Sequence, residues 1–142
     1  MGLQATQTQA AAVHLSLPAV PENVVVVRHM MLAFGDTLGL PGRMIEDVRL
    51  AVTEACTNVV RHAYDHAGGL MEIAVHPHPD RLEVAVSDDG RGIGDSDDQD
   101  GPGFGLPMMA TLADTLEIDR TAESGSRVAM SFNRPVDPDK TT

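Results

Sequence analysis

The chain has 142 residues, 42% of them hydrophobic, which suits one domain with a real core and is too short for two. With three Phe, one Tyr and no Trp, Leu, Val, Ile, Met and Ala must fill that core. Ten basic against 21 acidic residues give a formal charge of -11, which argues against a DNA- or RNA-binding surface, because such affinity comes largely from cations displacing counterions at phosphates.

Residues 1–12 are mostly Ala, Gln and Thr without apolar periodicity and read as a flexible tail. Met1-Gly2-Leu3-Gln4-Ala5-Thr6 fits the loose N-myristoylation pattern but lacks the basic neighbours that help anchor a chain. The first Lys or Arg is Arg28, and no apolar run approaches the roughly 18 residues that span a bilayer, so no membrane partner is expected. A single cysteine cannot make an internal disulfide, which together with the acidic charge suits a cytoplasmic location. Val13 to Leu17 alternates and ends at Pro18, a first strand. A helix follows from about Pro21 to Leu38, with Pro in its first turn and Gly39 just past its end, although the Val24–Val27 run is β-prone.

A second helix runs from about Pro41 to Tyr64. Ile45, Val48, Val52, Ala55, Val59 and Ala63 recur along one face, the strongest periodicity in the chain. Leu70 to His76 and Arg81 to Ser87 alternate around a Pro-His-Pro-Asp turn, a hairpin pattern. The stretch from Asp88 to Gly103 is too polar for a core. Phe104 to Ala113 reads as a short helix, and Leu116 to Asp119 and Arg127 to Phe132 as two closing strands. Residues 133–142 read as a second flexible tail. The order implies an α+β, two-layer α/β sandwich over residues 13–132, with one mixed or antiparallel sheet covered by three helices.

Three features could carry chemistry. Glu54 and Asn58 lie one turn apart on a polar stripe of the second helix, which Asp47 and Arg61 share. Such a stripe can be an ordinary solvated flank. A carboxylate and an amide oxygen so placed can also hold a hard divalent cation and orient a nucleophile. Asp88-Asp89-Gly90-Arg91-Gly92 follows a strand, where a tight turn is the simple reading. Its alternating Gly would equally let backbone approach a ligand, and the strand-end Asp could accept a hydrogen bond from an exocyclic amine such as that of adenine. Gly101-Pro102-Gly103-Phe104-Gly105-Leu106 opens the next helix, where free N–H groups seat phosphates. It is neither a Rossmann fingerprint nor a Walker loop, and the chain has no Gly-Lys pair.

Weaker candidates fall away. Asp95, Asp97, Asp98 and Asp100 suggest calcium, but Pro107 stands where an EF-hand needs its bidentate Glu. The pairs His62/His66 and His76/His78 lack a third zinc ligand. Cys56 lies near the apolar helix face and reads as core, and Met108-Met109 as packing beneath the loop.

Together, the run Glu54-Ala55-Cys56-Thr57-Asn58 through Arg61-His62-Ala63-Tyr64, then Asp88-x-Gly90-x-Gly92, then Gly103-x-Gly105-Leu106, closely resemble the N, G1 and G2 boxes of the GHKL (Bergerat) ATP-binding fold. The resemblance spans nearly all of residues 13–132, and Gly125-Ser126 falls where a last strand of the family carries Gly-Thr. The small size and the wording around Glu54 and Asn58 look most like the anti-sigma-factor serine kinases of bacteria.

The resemblance implies ATP with Mg²⁺. Asn58 would ligate the metal and Glu54 would act as base or orienting group for the attacking hydroxyl. Asp88 would bind the adenine amine, supported by Ser126 directly or through water. Gly90 and Gly92 would line the nucleotide, and Gly103, Gly105 and Leu106 would offer backbone donors to phosphates. It implies an anti-sigma factor that sequesters a sigma factor, phosphorylates a serine of an anti-anti-sigma factor, and forms a homodimer. Pro102, Ser126 and the four Asp (Asp95, Asp97, Asp98 and Asp100) between the two glycine boxes depart from the family pattern. Two alternatives stay open: a module that holds ATP without transferring phosphate, and a kinase of another signalling pathway. Retention of Glu54 speaks against the former.

Overall fold

The computed structural model describes residues 13–64, 68–90, 105–121 and 125–135. Residues 1–12, 65–67, 91–104 (with Gly92 and Gly103), 122–124 and 136–142 lie outside the described residues.

Strand β1 (Val13–Pro18) is followed by helices α1 (Pro21–Thr37) and α2 (Gly42–Asn58), the latter prolonged by a π-helical turn over Val59–Ala63. The hairpin β2 (Leu70–Pro77) and β3 (Arg81–Asp88), helix α3 (Gly105–Leu112), and strands β4 (Thr115–Thr121) and β5 (Gly125–Asn133) complete the order. The sheet runs β1-β2-β3-β5-β4, and every neighbouring pair is antiparallel. Of the mixed and antiparallel sheets allowed by sequence, the antiparallel one forms.

Local chemistry sets the helix limits. Pro21 opens α1, where its missing N–H would be unpaired in any case. Gly39, at φ +73°, leaves the helix in the left-handed conformation that ends many helices. The valine run stays helical because Val24, Val27 and Met31 reach the core at helical spacing, while Val25 and Val26 stay exposed. Burial along one face outweighs the modest β preference of valine. Helix α2 buries Ile45, Val48, Val52, Ala55 and Cys56, and the π turn keeps Val59 and Ala63 on the same side. In α3, Met109 is fully buried and Met108 is exposed, so only one of the paired methionines packs into the core. Neighbouring positions on a helix point about 100° apart, and the core-facing stripe of α3 takes in Met109 and leaves Met108 outside.

Strand phase positions the site. In β3, Leu82, Val84 and Val86 alternate toward the helices and are buried. Asp88 stands two residues further along and therefore faces the same layer. Pairing of β3 with β5 sets Val86 opposite Val128 and Asp88 opposite Ser126. A slip of one residue would turn the whole apolar set and this carboxylate to the other face, so core burial itself fixes the aim of Asp88.

Candidate functional site

Asp88 is 5% exposed and Ser126 likewise 5%. A buried carboxylate needs partners, and Asp88 has two: the Ser126 hydroxyl donates to Oδ2 at 2.6 Å, and the Gly90 amide donates to Oδ1 at 2.8 Å. Carboxylate oxygens have room for further bonds. The two contacts fix the plane of the group and leave it able to accept from a ligand amine. The serine reaches the aspartate directly, with no bridging atom between them.

Two glycines let three segments close on this carboxylate. Gly90 lies against the end of the π turn, where an added Cβ would stand 2.6 Å from the Ala63 carbonyl carbon and 2.9 Å from its Cβ. Gly125, at φ +83°, lies against β3, where an added Cβ would stand 2.7 Å from the Asp88 carbonyl carbon and 2.8 Å from the Asp89 Cα. Any other residue would push the strands apart at the point where Asp88 and Ser126 meet. The contact of Gly90 with Ala63 also brings the end of α2 against the Asp88 turn.

Glu54 and Asn58 are both half-buried on α2, one turn apart. Asn58 is the last residue of α2, directly before the π turn that ends at Ala63. Arg61, on the same stripe, is exposed. The Glu54 carboxylate and Asn58 amide supply the hard oxygen donors that a magnesium ion prefers, so the donor set fits that metal. Gly105 and Leu106 are the first two residues of α3, which packs against α2. Their amides belong to the first turn, where N–H groups have no intrahelical acceptor. Gly92 and Gly103 lie outside the described residues.

Two features had no role assigned in the sequence reading. One is Tyr64, named there only as the end of the run around Asn58, whose hydroxyl accepts from the Asp89 amide at 2.8 Å and donates to the Leu70 carbonyl at 2.6 Å. The other is the positive φ of Gly125, for which the run Glu123-Ser124-Gly125 between two strands was the available signal. Cys56 is fully buried, and burial pushes its thiol up to about 12. It is a core side chain and no nucleophile.

Comparison with known proteins agrees with this arrangement. The histidine kinase-like ATPase domain family matches residues 17–132. The serine-protein kinase RsbW of Halalkalibacterium halodurans is 37% identical over 139 residues, covering 87% of this chain and 83% of its own. That of Bacillus subtilis is 35% identical over 141 residues, covering 88% and 87%. A crystal structure of the RsbU and RsbW domains of a Mycobacterium tuberculosis protein superposes with a TM-score of 0.67. That match covers 88% of this chain and 33% of the other at 22% identity, a likeness of fold. From the site's buried aspartate outward to the full sheet order, the chain belongs to the histidine kinase-like ATPase family, among relatives that are RsbW serine-protein kinases.

Proposed function

We propose that this chain is an ATP-dependent protein-serine kinase and anti-sigma factor, which sequesters a sigma factor and phosphorylates a serine of an anti-anti-sigma factor. One observation carries the nucleotide reading. A buried carboxylate is held at both oxygens by Ser126 and Gly90, at a turn packed on the end of the helix bearing Glu54 and Asn58. The kinship with RsbW serine-protein kinases over most of the chain supports the choice of reaction and partners.

In this reading Asp88 accepts from the adenine amine and Ser126 keeps its carboxylate in plane. Gly90 and Gly92 line the nucleotide, and backbone amides of Gly103, Gly105 and Leu106 meet phosphate oxygens. Asn58 is the magnesium ligand; magnesium, when bound, offsets phosphate charge. Glu54 takes the proton of the incoming serine hydroxyl. That oxygen forms its bond to the γ-phosphorus as the bond to the ADP oxygen breaks. Such transfer depends mainly on positioning and charge neutralisation, so a carboxylate, an amide ligand and a glycine cradle are a sufficient set.

The formal charge of -11 favours partners with basic docking surfaces. Among the described residues no helix is long and apolar enough to cross a membrane. A cytoplasmic homodimer completes the proposal, in keeping with the resemblance described above.

Binding and transfer, measured separately, test it. Asn58→Ala is expected to weaken magnesium-dependent ATP binding. Glu54→Ala is expected to bind ATP like the wild type and to transfer no phosphate to the anti-anti-sigma partner. Normal Mg·ATP binding by Asn58→Ala would refute the metal assignment. Tight binding without transfer by the wild-type protein would leave only a module that holds ATP.

A further inference from the structure

We propose that the Tyr64 hydroxyl is a positioning group of the nucleotide site, a bridge that holds the Asp88–Gly90 turn at a fixed place against the helix end following Glu54 and Asn58. The inference rests on the reading of that site as a purine-nucleotide site. It concerns a residue to which that reading gives no task.

The local fold prepares the bridge. The π turn over Val59–Ala63 ends α2, and Tyr64 itself is extended, with φ -128° and ψ 156°. Its side chain therefore departs from the helix line. The ring lies against Gly69, where an added Cβ would stand 2.6 Å from Cδ1. A phenol has one hydrogen to donate and lone pairs to accept with, and here both capacities are used. The hydrogen goes to the Leu70 carbonyl at the start of β2, and the oxygen receives the Asp89 amide beyond the end of β3. One hydroxyl thus ties together the helix end, the first residue of β2 and the turn.

The consequence falls on Asp88. The two amides that follow it are both held, Asp89 by the Tyr64 oxygen and Gly90 by the Asp88 carboxylate. Gly90 also meets the Ala63 carbonyl group, one residue before Tyr64. The turn is therefore tied to the helix end by the Asp89 amide and by the close approach of Gly90 to Ala63, while the Gly90 amide fixes the Asp88 carboxylate within the turn, so that the carboxylate is held relative to the stripe on α2. Burial, together with the neighbouring carboxylates of Asp88 and Asp89, holds the phenol above its ordinary value of 10 against the opposing amide bond, so it keeps its hydrogen at neutral pH. A phenylalanine would fill the same space beside Gly69 and leave the Asp89 amide and the Leu70 carbonyl without this partner.

Tyr64→Phe tests the assignment, with Mg·ATP titrations and steady-state phosphorylation. The variant is expected to bind Mg·ATP about five- to tenfold more weakly, the loss typical of one such hydrogen bond, with KM raised in parallel. Its kcat should stay within about twofold, because Glu54 and Asn58 are untouched. An unchanged ATP affinity, or a fall in kcat with KM unchanged, overturns the proposal; so does a lower unfolding midpoint with wild-type KM, which would make Tyr64 merely structural. Asp88→Asn, measured alongside, separates the two levels. Wild-type ATP binding by Asp88→Asn would refute the nucleotide reading. Lost binding there with none lost in Tyr64→Phe would refute the bridge alone.

Discussion

Three glycine-to-alanine substitutions isolate what Gly125 contributes, because their surroundings differ in one respect at a time. Gly42 opens α2 with an ordinary backbone and no atom within 4 Å of an added Cβ. Alanine there removes unfolded-chain freedom and should stabilise by about 0.4–1 kcal/mol. Gly39 has φ +73° and is equally open, so alanine meets only left-handed strain, about 1–2 kcal/mol less the same entropic gain. A net loss near 0.5–1 kcal/mol is expected from that difference. Gly125 has φ +83° and also faces the Asp88 backbone, with a Cβ 2.7 Å from its carbonyl carbon. The Asp88 carbonyl oxygen lies closer still, and ordinary contact begins at 3.4 Å, so the two backbones must part by more than about 0.7 Å.

That parting pulls on the buried bond between Ser126 and Asp88, and leaving such a group unpaired costs about 1–3 kcal/mol. Strain, displacement and the weakened bond together predict a loss of roughly 3–5 kcal/mol for Gly125→Ala, a large share of the 5–15 kcal/mol typical of a domain. Urea unfolding of the three variants at 25 °C gives the ranking directly. A loss for Gly125→Ala no larger than that for Gly39→Ala would show that the crowding against Asp88 has no energetic consequence.

Two further outcomes follow from side-chain environments. Cys56 is fully buried with its thiol pushed up to about 12, so a thiol reagent at pH 7 should modify it only on unfolding; rapid labelling of the native protein would contradict the packing of α2. Glu83 accepts from His78 at 3.0 Å and from Arg81 at 3.2 Å, chiefly the first of which holds it below its ordinary 4.5. A lowered folded value means the carboxylate stabilises the fold above pH 4.5, and that contribution disappears as the pH falls through the folded value. Glu83 is half-exposed, so the effect is small; Glu83→Gln should flatten the acid limb of stability against pH, and an unchanged limb would count against the pairing.

Much of this architecture is readable from residue order. The alternation of Leu82, Val84 and Val86 already aims Asp88 inward, and the three- and four-residue steps from Ile45 to Ala55 already set Glu54 and Asn58 off the core. What stayed hidden depends on contacts between distant residues. Nothing near Tyr64 reveals that its hydroxyl reaches an amide 25 residues on. The π turn that redirects it arises where α2 meets β3, and no local propensity signals it. The antiparallel pairing of β3 with β5 is likewise a tertiary choice, made by two apolar strand faces of matching phase. Methionines 108 and 109 are alike by composition, and only the helix phase assigned by the core separates them.

Phosphoryl transfer to a serine leaves its mark on the chemical identity of the phosphorylated residue. Wild-type protein incubated with magnesium and ATP labelled at the γ-phosphate should place the label on the anti-anti-sigma partner. Phosphoamino-acid analysis should return phosphoserine alone, with none from Glu54→Ala despite its bound ATP. Acid-labile phosphohistidine on the partner, or label released only as free phosphate, would contradict it.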